Sequence, residues 1–461
     1  MDMMSHTSFK RPSRLALRLT ALIALIAAHP GLWAENQPSL SAHSALPQHD
    51  GYVHLGVASC ASSVCHGAML ERTSTTVLQN EYVTWTRHDH HADAYNTLLT
   101  DASKRMATNL GLPNAHEADL CLDCHADNVP NAMRGPEFDI TDGVGCEACH
   151  GGSETWAALH TVDTVTAGEL RQAGLYPAHD PVEATALCLS CHLGNEDKLA
   201  THRIMGAGHP RLSFELVTFL ELLPPHWERD DEYLARKRAP DLLGQWVQGQ
   251  LMTAKSSLGL LRTHLVDSNT TLPELAMFDC HACHHAMSDQ RWQPSKLTIG
   301  VEPGTPRLNL AYFAFVEPLA QSLQTSGSAD IVPALRALNQ SAHVSPEQLS
   351  DILNEVSELI DETISAAHQL DDRIDGIALL HRIAEESALG TYRDYSLAEQ
   401  AAMAMNLLLG REALWEQSRP AMQAVFASLM NEEQYQPDSF AGAAKVLLEA
   451  LPGDEGRTEE R

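Results

Sequence analysis

The sequence predicts a mainly α-helical protein with long loops, in which a cysteine- and histidine-rich region is followed by an α-helical bundle-like region. Three observations carry that expectation. All ten cysteines lie between residues 60 and 283, in five pairs, and each pair is followed at once by a histidine. Aromatic residues make up only 5% of the chain, which leaves little side-chain bulk for a core under the loops around those pairs. From about residue 307 cysteine is absent, and apolar residues recur at helical spacing.

At the N-terminus, Lys10, Arg11, Arg14 and Arg18 precede the apolar run Leu19–Ala28, which is too short to span a bilayer. Leu32-Trp33-Ala34 then offers a small-residue cleavage site, so residues 1–34 read as a secretory signal peptide. The mature chain is therefore expected in the periplasm; membrane association through an uncleaved N-terminus is the alternative. No later stretch is apolar enough for a transmembrane span once the signal is removed. Residues 35–50 are polar without a clear period and read as a flexible leader.

Residues 51–300 hold the cysteine pairs. Cys121/Cys124/His125, Cys146/Cys149/His150, Cys188/Cys191/His192 and Cys280/Cys283/His284 are C-x-x-C-H, the attachment pattern of a c-type haem. Two thiols at that spacing can add to the two vinyl groups of one porphyrin, and the next histidine reaches the iron as its proximal ligand. The first pair, Cys60 and Cys65 with His66, has four residues between its thiols and is read as a fifth site of the same kind. Zinc would use such pairs in twos and needs no histidine after each. Disulfides would not impose the C-H dipeptide five times. Five covalently bound haem c groups are thus expected. The pairs at Cys121 and Cys146 start 25 residues apart, too close for a separate core, so those haems should pack together and supply much of the apolar interior.

Distal ligands are read from the fifteen histidines of residues 35–300 other than the five that directly follow a cysteine pair. The cluster His88, His90 and His91, a short stretch after Trp85, is the first choice; His160, ten residues after His150, is second, and His209 is third. His54, His116, His179, His202 and His226 are reserves.

Residues 301–452 read as a helical domain. Ser345-Pro346-Glu347-Gln348 has the form of a capping box with proline in the first turn. Leu349, Ile352, Leu353, Val356, Leu359, Ile360 and Ile364 follow on one helical face. Ser396 and Glu399 predict a second helix start, which Gly410 can terminate, and Arg411–Met430 and Ser439–Leu451 predict two more. The stripes suit an antiparallel bundle with its own core, or alternatively a docking platform. Residues 453–461 are charged and read as a disordered tail.

The formal net charge is −29, with acids in excess both before and after residue 300. Such a surface repels nucleic acid and favours redox partners with basic docking faces, though plain solubility explains it equally well.

The run from Cys60 to His192 resembles the cytochrome c-554 family of exported multihaem cytochromes. The resemblance rests on the first motif, Trp85 followed by His91-Ala92-Asp93-Ala94, then Asp123-Cys124-His125, Gly143-Val144-Gly145-Cys146 to Gly151, His160, and Cys188 to His192. It covers residues 55–215 and implies that His91 and His160 are distal ligands, that haems stack in close pairs, and that one iron can lack a distal side chain. The longer first motif, the fifth motif at Cys280 and the helical region depart from that pattern. An electron carrier with mostly bis-histidine haems is the expected function. The alternative is an oxidoreductase acting on a small nitrogen or sulfur compound at one open iron; a haem-bearing structural or sensing subunit is a third reading.

Overall fold

Short helices tied by long loops give way, along the chain, to long helices packed on one another. The computed structural model describes residues 45–452 apart from 71, 73–76, 226–230, 232–240, 268–271, 286–292, 342–344 and 369–373. The expected signal peptide, most of the leader, His226 and the charged tail lie outside the described residues. The described residues contain no β-strand, only the isolated bridges His54–Arg134 and Phe278–Leu308, and the fold is mainly α with long loops. No helix among them is long and apolar enough to cross a membrane.

The early helices are α1 (Glu81–His88), α2 (Asp101–Leu110), α3 (Asp119–His125), α4 (Cys146–His150) and α5 (Pro181–His192). Three of them are cysteine motifs: α3 and α4 contain one each and α5 ends in one. In a helix, cysteines three apart fall on one face, so both thiols of a pair point the same way. Proline at its first position starts α5, and the Asp180 carboxylate accepts from the Val182 and Glu183 N–H groups. Gly151 ends α4 at φ 81°, where a Cβ would stand 2.4 Å from the Gly174 carbonyl oxygen; only glycine fits there.

Beyond them come α6 (His202–Gly206), α7 (Leu216–Leu222) and α8 (Leu242–Leu261). Helix α8 is buried nearly all round, with Trp246, Leu251 and Ala254 fully enclosed. It packs on α5, the helix of the fourth motif, and on α7, where Gly249 admits Leu216 at a distance no side chain would allow.

The remaining helices are α9 (Val316–Ser322), α10 (Ile331–Gln340), α11 (Pro346–His368), α12 (Gly376–Ala388), α13 (Tyr395–Arg411), α14 (Trp415–Leu429) and α15 (Pro437–Ala450). Helix α11 starts at the capping box: Gln348 N–H donates to Ser345 Oγ, and Ser345 N–H to Gln348 Oε1. Its buried face is Leu349, Leu353, Val356, Ile360, Thr363 and Ile364, with Ile352 and Leu359 partly covered beside them.

Two expected helix ends differ. Ser396 does not cap α13, which begins one residue earlier behind Asp394, and Glu399 turns outward to Arg211 instead of closing a box. Gly410 lies inside the last turn, and the break falls at Ala413, whose φ is 56°; α14 therefore starts at Trp415 rather than at Arg411. One apolar cluster runs from Leu189 in α5 through α8 to Leu451. A second, of only six residues, joins Tyr95, Leu98, Ala107, Ala115, Leu122 and Ala126.

Candidate haem sites

Histidines from distant parts of the chain face one another in four places, and each pair contains the histidine of one cysteine motif. His66 lies over His160 with ring centroids 6.0 Å apart and planes 16° from parallel. His192 meets His91 at 6.2 Å, His125 meets His209 at 6.4 Å, and His284 meets His202 at 6.1 Å. Two imidazoles bound on opposite sides of one metal, with bonds of about 2 Å and ring centres about 1 Å beyond each nitrogen, stand about 6 Å apart. The four spacings therefore suit one iron between each pair.

Local structure turns the rings. Glu81, first residue of α1, takes a hydrogen bond from His66 Nδ1 at 2.9 Å. Asp89, at the end of α1, accepts from His91 N–H at 3.0 Å and stands 2.9 Å from His91 Nδ1. His125 Nδ1 lies 3.1 Å from the Ala94 carbonyl and 3.0 Å from Thr97 Oγ1. His160 Nδ1 faces the Ala157 carbonyl and His209 Nδ1 the Pro210 carbonyl. With Nδ1 engaged, Nε2 is the nitrogen left to meet a metal. The interplay of charge follows the partners: the Glu81 hydrogen bond raises the pKa of His66 against the opposing effect of burial, and Asp89 does the same for His91. Burial lowers His125 and His192.

None of the ten cysteines is paired in a disulfide. Burial pushes the Cys149 and Cys188 thiols up to about 12, so neither is a thiolate near neutrality. The Cys60 and Cys146 thiols lie near enough to shift each other's pKa, as do those of Cys124 and Cys191, so motifs one and three are neighbours, as are motifs two and four. The buried Lys198 ammonium stands 3.2 Å from Cys191 Sγ and donates to the Asp123 carbonyl and to Gln48 Oε1, each at 2.8 Å. Among the described residues, no three or more His, Cys, Asp or Glu converge as a bare metal cage. Paired imidazoles and nearby thiols instead match a planar macrocycle that brings four donors of its own.

Cys283 does not share a covered helical face with the other thiol of its motif. It is exposed, whereas its partner Cys280 is half-buried. The reason is local: motif five forms only a 3-10 turn, Cys280–Ala282, capped by the Asp279 carboxylate at the His281 N–H, and that turn ends before Cys283. Because the turn stops at Ala282, Cys283 is not held beside Cys280 as the second thiols of α3, α4 and α5 are, and it stays exposed. Cys65, second thiol of the longer first motif, is exposed as well. Its motif likewise lies outside any α-helix, with the Cys65 N–H bonded to the Ser62 carbonyl in a turn.

The other candidates are placed differently. His54 is fully buried and spends both ring nitrogens on protein oxygens, 2.7 Å from Asp127 Oδ2 and 3.2 Å from the Pro47 carbonyl. His88 and His90 are exposed, and His116 stands edge-on to Tyr95 beside Glu117. His150 is exposed at the end of α4, its carbonyl accepting from Tyr176 N–H at 2.9 Å. His202, read only as a reserve, is brought to His284 by the fold. Its local signal is slight: Thr201 caps α6, so that His202 opens the helix.

No curated protein and no solved structure matches the chain. Residues 59–151, which hold the first three motifs and His91, match the family model described as cytochrome c554 and c-prime. That segment, in a chain that is mainly helical, carries a cytochrome c554 and c-prime family domain, and the likeness is to an electron-transfer cytochrome.

Proposed function

We propose that the mature protein is a periplasmic multihaem c-type cytochrome that passes single electrons between redox partners. The observation that carries this reading is the set of four facing histidine pairs, each built from one motif histidine and one distant histidine. Ten cysteines in five pairs support five haem c groups, with His66, His125, His150, His192 and His284 as proximal ligands. His160, His209, His91 and His202 are proposed as distal partners of the first, second, fourth and fifth.

Haem iron, when bound, supplies a one-electron couple. The chain's own residues do the rest. Two imidazoles per iron keep the same ligands in both oxidation states, so the protein rearranges little on reduction. Glu81 and Asp89 hold ligand rings in place from the two ends of α1. The nearness of motif one to motif three, and of motif two to motif four, supports haems close enough for direct transfer. The basic, then apolar N-terminal segment supports export, and the net charge of −29 supports partners with basic docking faces.

Mass spectrometry of the matured chain should count five haems; four would remove one of the two sites with an exposed second thiol, at Cys60 or at Cys280, and peptide mapping would say which. Electron paramagnetic resonance of the oxidised protein should be mostly low-spin. A strong high-spin signal that shifts with nitrite, nitric oxide or hydroxylamine would replace the carrier with a small-molecule oxidoreductase.

A further inference from the structure

We propose that the chain grades the potentials of its irons through the charge of the groups beside the ligands, with Glu81 making motif one the lowest of three and motif two the highest. The inference rests on the ligand pairs proposed above. An axial imidazole that donates its Nδ1–H to a carboxylate gains anionic character, and an anionic ligand favours ferric over ferrous iron. A neutral carbonyl or hydroxyl partner does so much less.

The partners of these ligand rings fall into three classes. Motif one has a carboxylate: His66 Nδ1 lies 2.9 Å from Glu81 Oε2, and the other oxygen is held by the Gln79 N–H at 3.1 Å. Its second ligand, His160, has only the Ala157 carbonyl. Motif two has neutral partners on both sides, the Ala94 carbonyl and Thr97 hydroxyl for His125 and the Pro210 carbonyl for His209. Motif four is mixed: Asp89, buried, sits on His91, while the Lys198 ammonium lies against the sulfur of Cys191.

Lys198 also bears on motif two. Its ammonium donates to the carbonyl of Asp123, the residue before Cys124, and a fixed positive charge there favours the ferrous state. It is anchored by Gln48 Oε1 and the Asp123 backbone carbonyl, neither of which is an attachment or ligand atom of a haem, so the charge stays where it is in the loaded protein. The order is then motif one below motif four below motif two. An electron entering at motif one runs downhill towards the end of the molecule where His209 is held by the helical region.

The test is a spectroelectrochemical titration of the holoprotein and of two variants that remove charge but keep hydrogen-bonding atoms. In Glu81→Gln one wave should move to higher potential while the others stay. In Lys198→Gln two waves should move to lower potential. The haem count and low-spin resonance of each variant are measured alongside. If these match the parent and no wave moves, or the waves move in the opposite sense, the grading is wrong and the ligand pairs stand. If the parent itself lacks low-spin bis-histidine resonances, the ligand pairs fall first. Should Glu81→Gln fail to mature, Lys198→Gln decides alone, because it leaves both ligand rings of motif two untouched.

Discussion

The part of the molecule that carries the first three cysteine motifs and the part built from α8 to α15 solve the same problem with different materials. In the first, no described helix is longer than the ten residues of α2, and the local apolar cluster has six members. Polar clamps hold its loops: the buried Glu147 carboxylate, inside the third motif, accepts from the N–H groups of Leu55, Gly56 and Ser153. In the second, helices of 20, 23 and 17 residues bury continuous apolar faces. Helices shorter than about 12 residues are marginal in water and depend on what they pack against. The contrast fits haem as the main packing partner in the first part, whereas in the second, which holds only the fifth motif, side chains supply the core.

The largest expected effect follows directly. Chain made where haem cannot be attached should lose the helices of the first part and keep most of those of the second, because the second has a large side-chain core that the first lacks. Limited proteolysis of that material should leave a resistant fragment running from near Leu242 to near Leu451. Digestion of the whole chain at one rate would erase the distinction.

A buried leucine gives the next test. Leu408 in α13 is fully enclosed in the large cluster, and Leu408→Ala should cost about 2–5 kcal/mol through the cavity it leaves. Its melting temperature should drop with the haem spectrum unchanged. Leu122, in α3 between the cysteines of motif two, belongs to the small cluster. Leu122→Ala should disturb the spectrum more and the melting temperature less.

What could be read from the sequence divides along the same line. The motifs and the α11 stripe are local patterns, set by spacing within one or two turns, and they stand out without a fold. The spacing does not say which motifs become helical: Cys283 matches the pattern of Cys124 and Cys149, yet its turn is too short to cover it. His91, His160 and His209 also carry local context, and each of them faces a motif histidine. His202 does not stand out, because its nearness to His284 comes from folding of the intervening chain, which includes α7 and α8. His54 looks like a ligand by residue type alone, yet its ring is tied on both sides to Asp127 and Pro47. The expected start of α13 at Ser396 failed for a related reason: Glu399 is taken by Arg211 from far along the chain.

Arg211 is where the two parts are joined. Its guanidinium reaches both oxygens of Glu399 at 3.1 and 3.0 Å, meets Glu432 at 2.8 Å, and lies 5.0 Å over the Tyr395 ring. His209 stands two residues before it. Arg211→Met strands two partly exposed carboxylates, a loss of about 1–2 kcal/mol, between the scales of surface and buried pairs. It should also release His209 from His125, raising a high-spin resonance from one iron. A drop in melting temperature with no new resonance would mean that the helical region does not hold that ligand.

The smallest expected effect places one lesion in both parts. Asp375 Oδ1 accepts from the Ala378 N–H at 3.0 Å at the start of α12, and Thr100 Oγ1 accepts from the Ser103 N–H at 3.3 Å at the start of α2. Replacing either by alanine removes a helix cap worth about 1 kcal/mol. In α12 the helix is packed on α13 and α15, so its fraying is felt by the whole cluster and Asp375→Ala should lower the melting temperature. In α2 only Ser103, Ala107 and Leu110 are buried, so the first turn can open without disturbing its neighbours. Thr100→Ala should therefore leave the melting temperature of the holoprotein unchanged and speed hydrogen exchange in residues 101–104 alone. Equal losses from the two substitutions would show that the part with the first three motifs unfolds with the bundle as one cooperative unit, and that its short helices owe their stability to the same core.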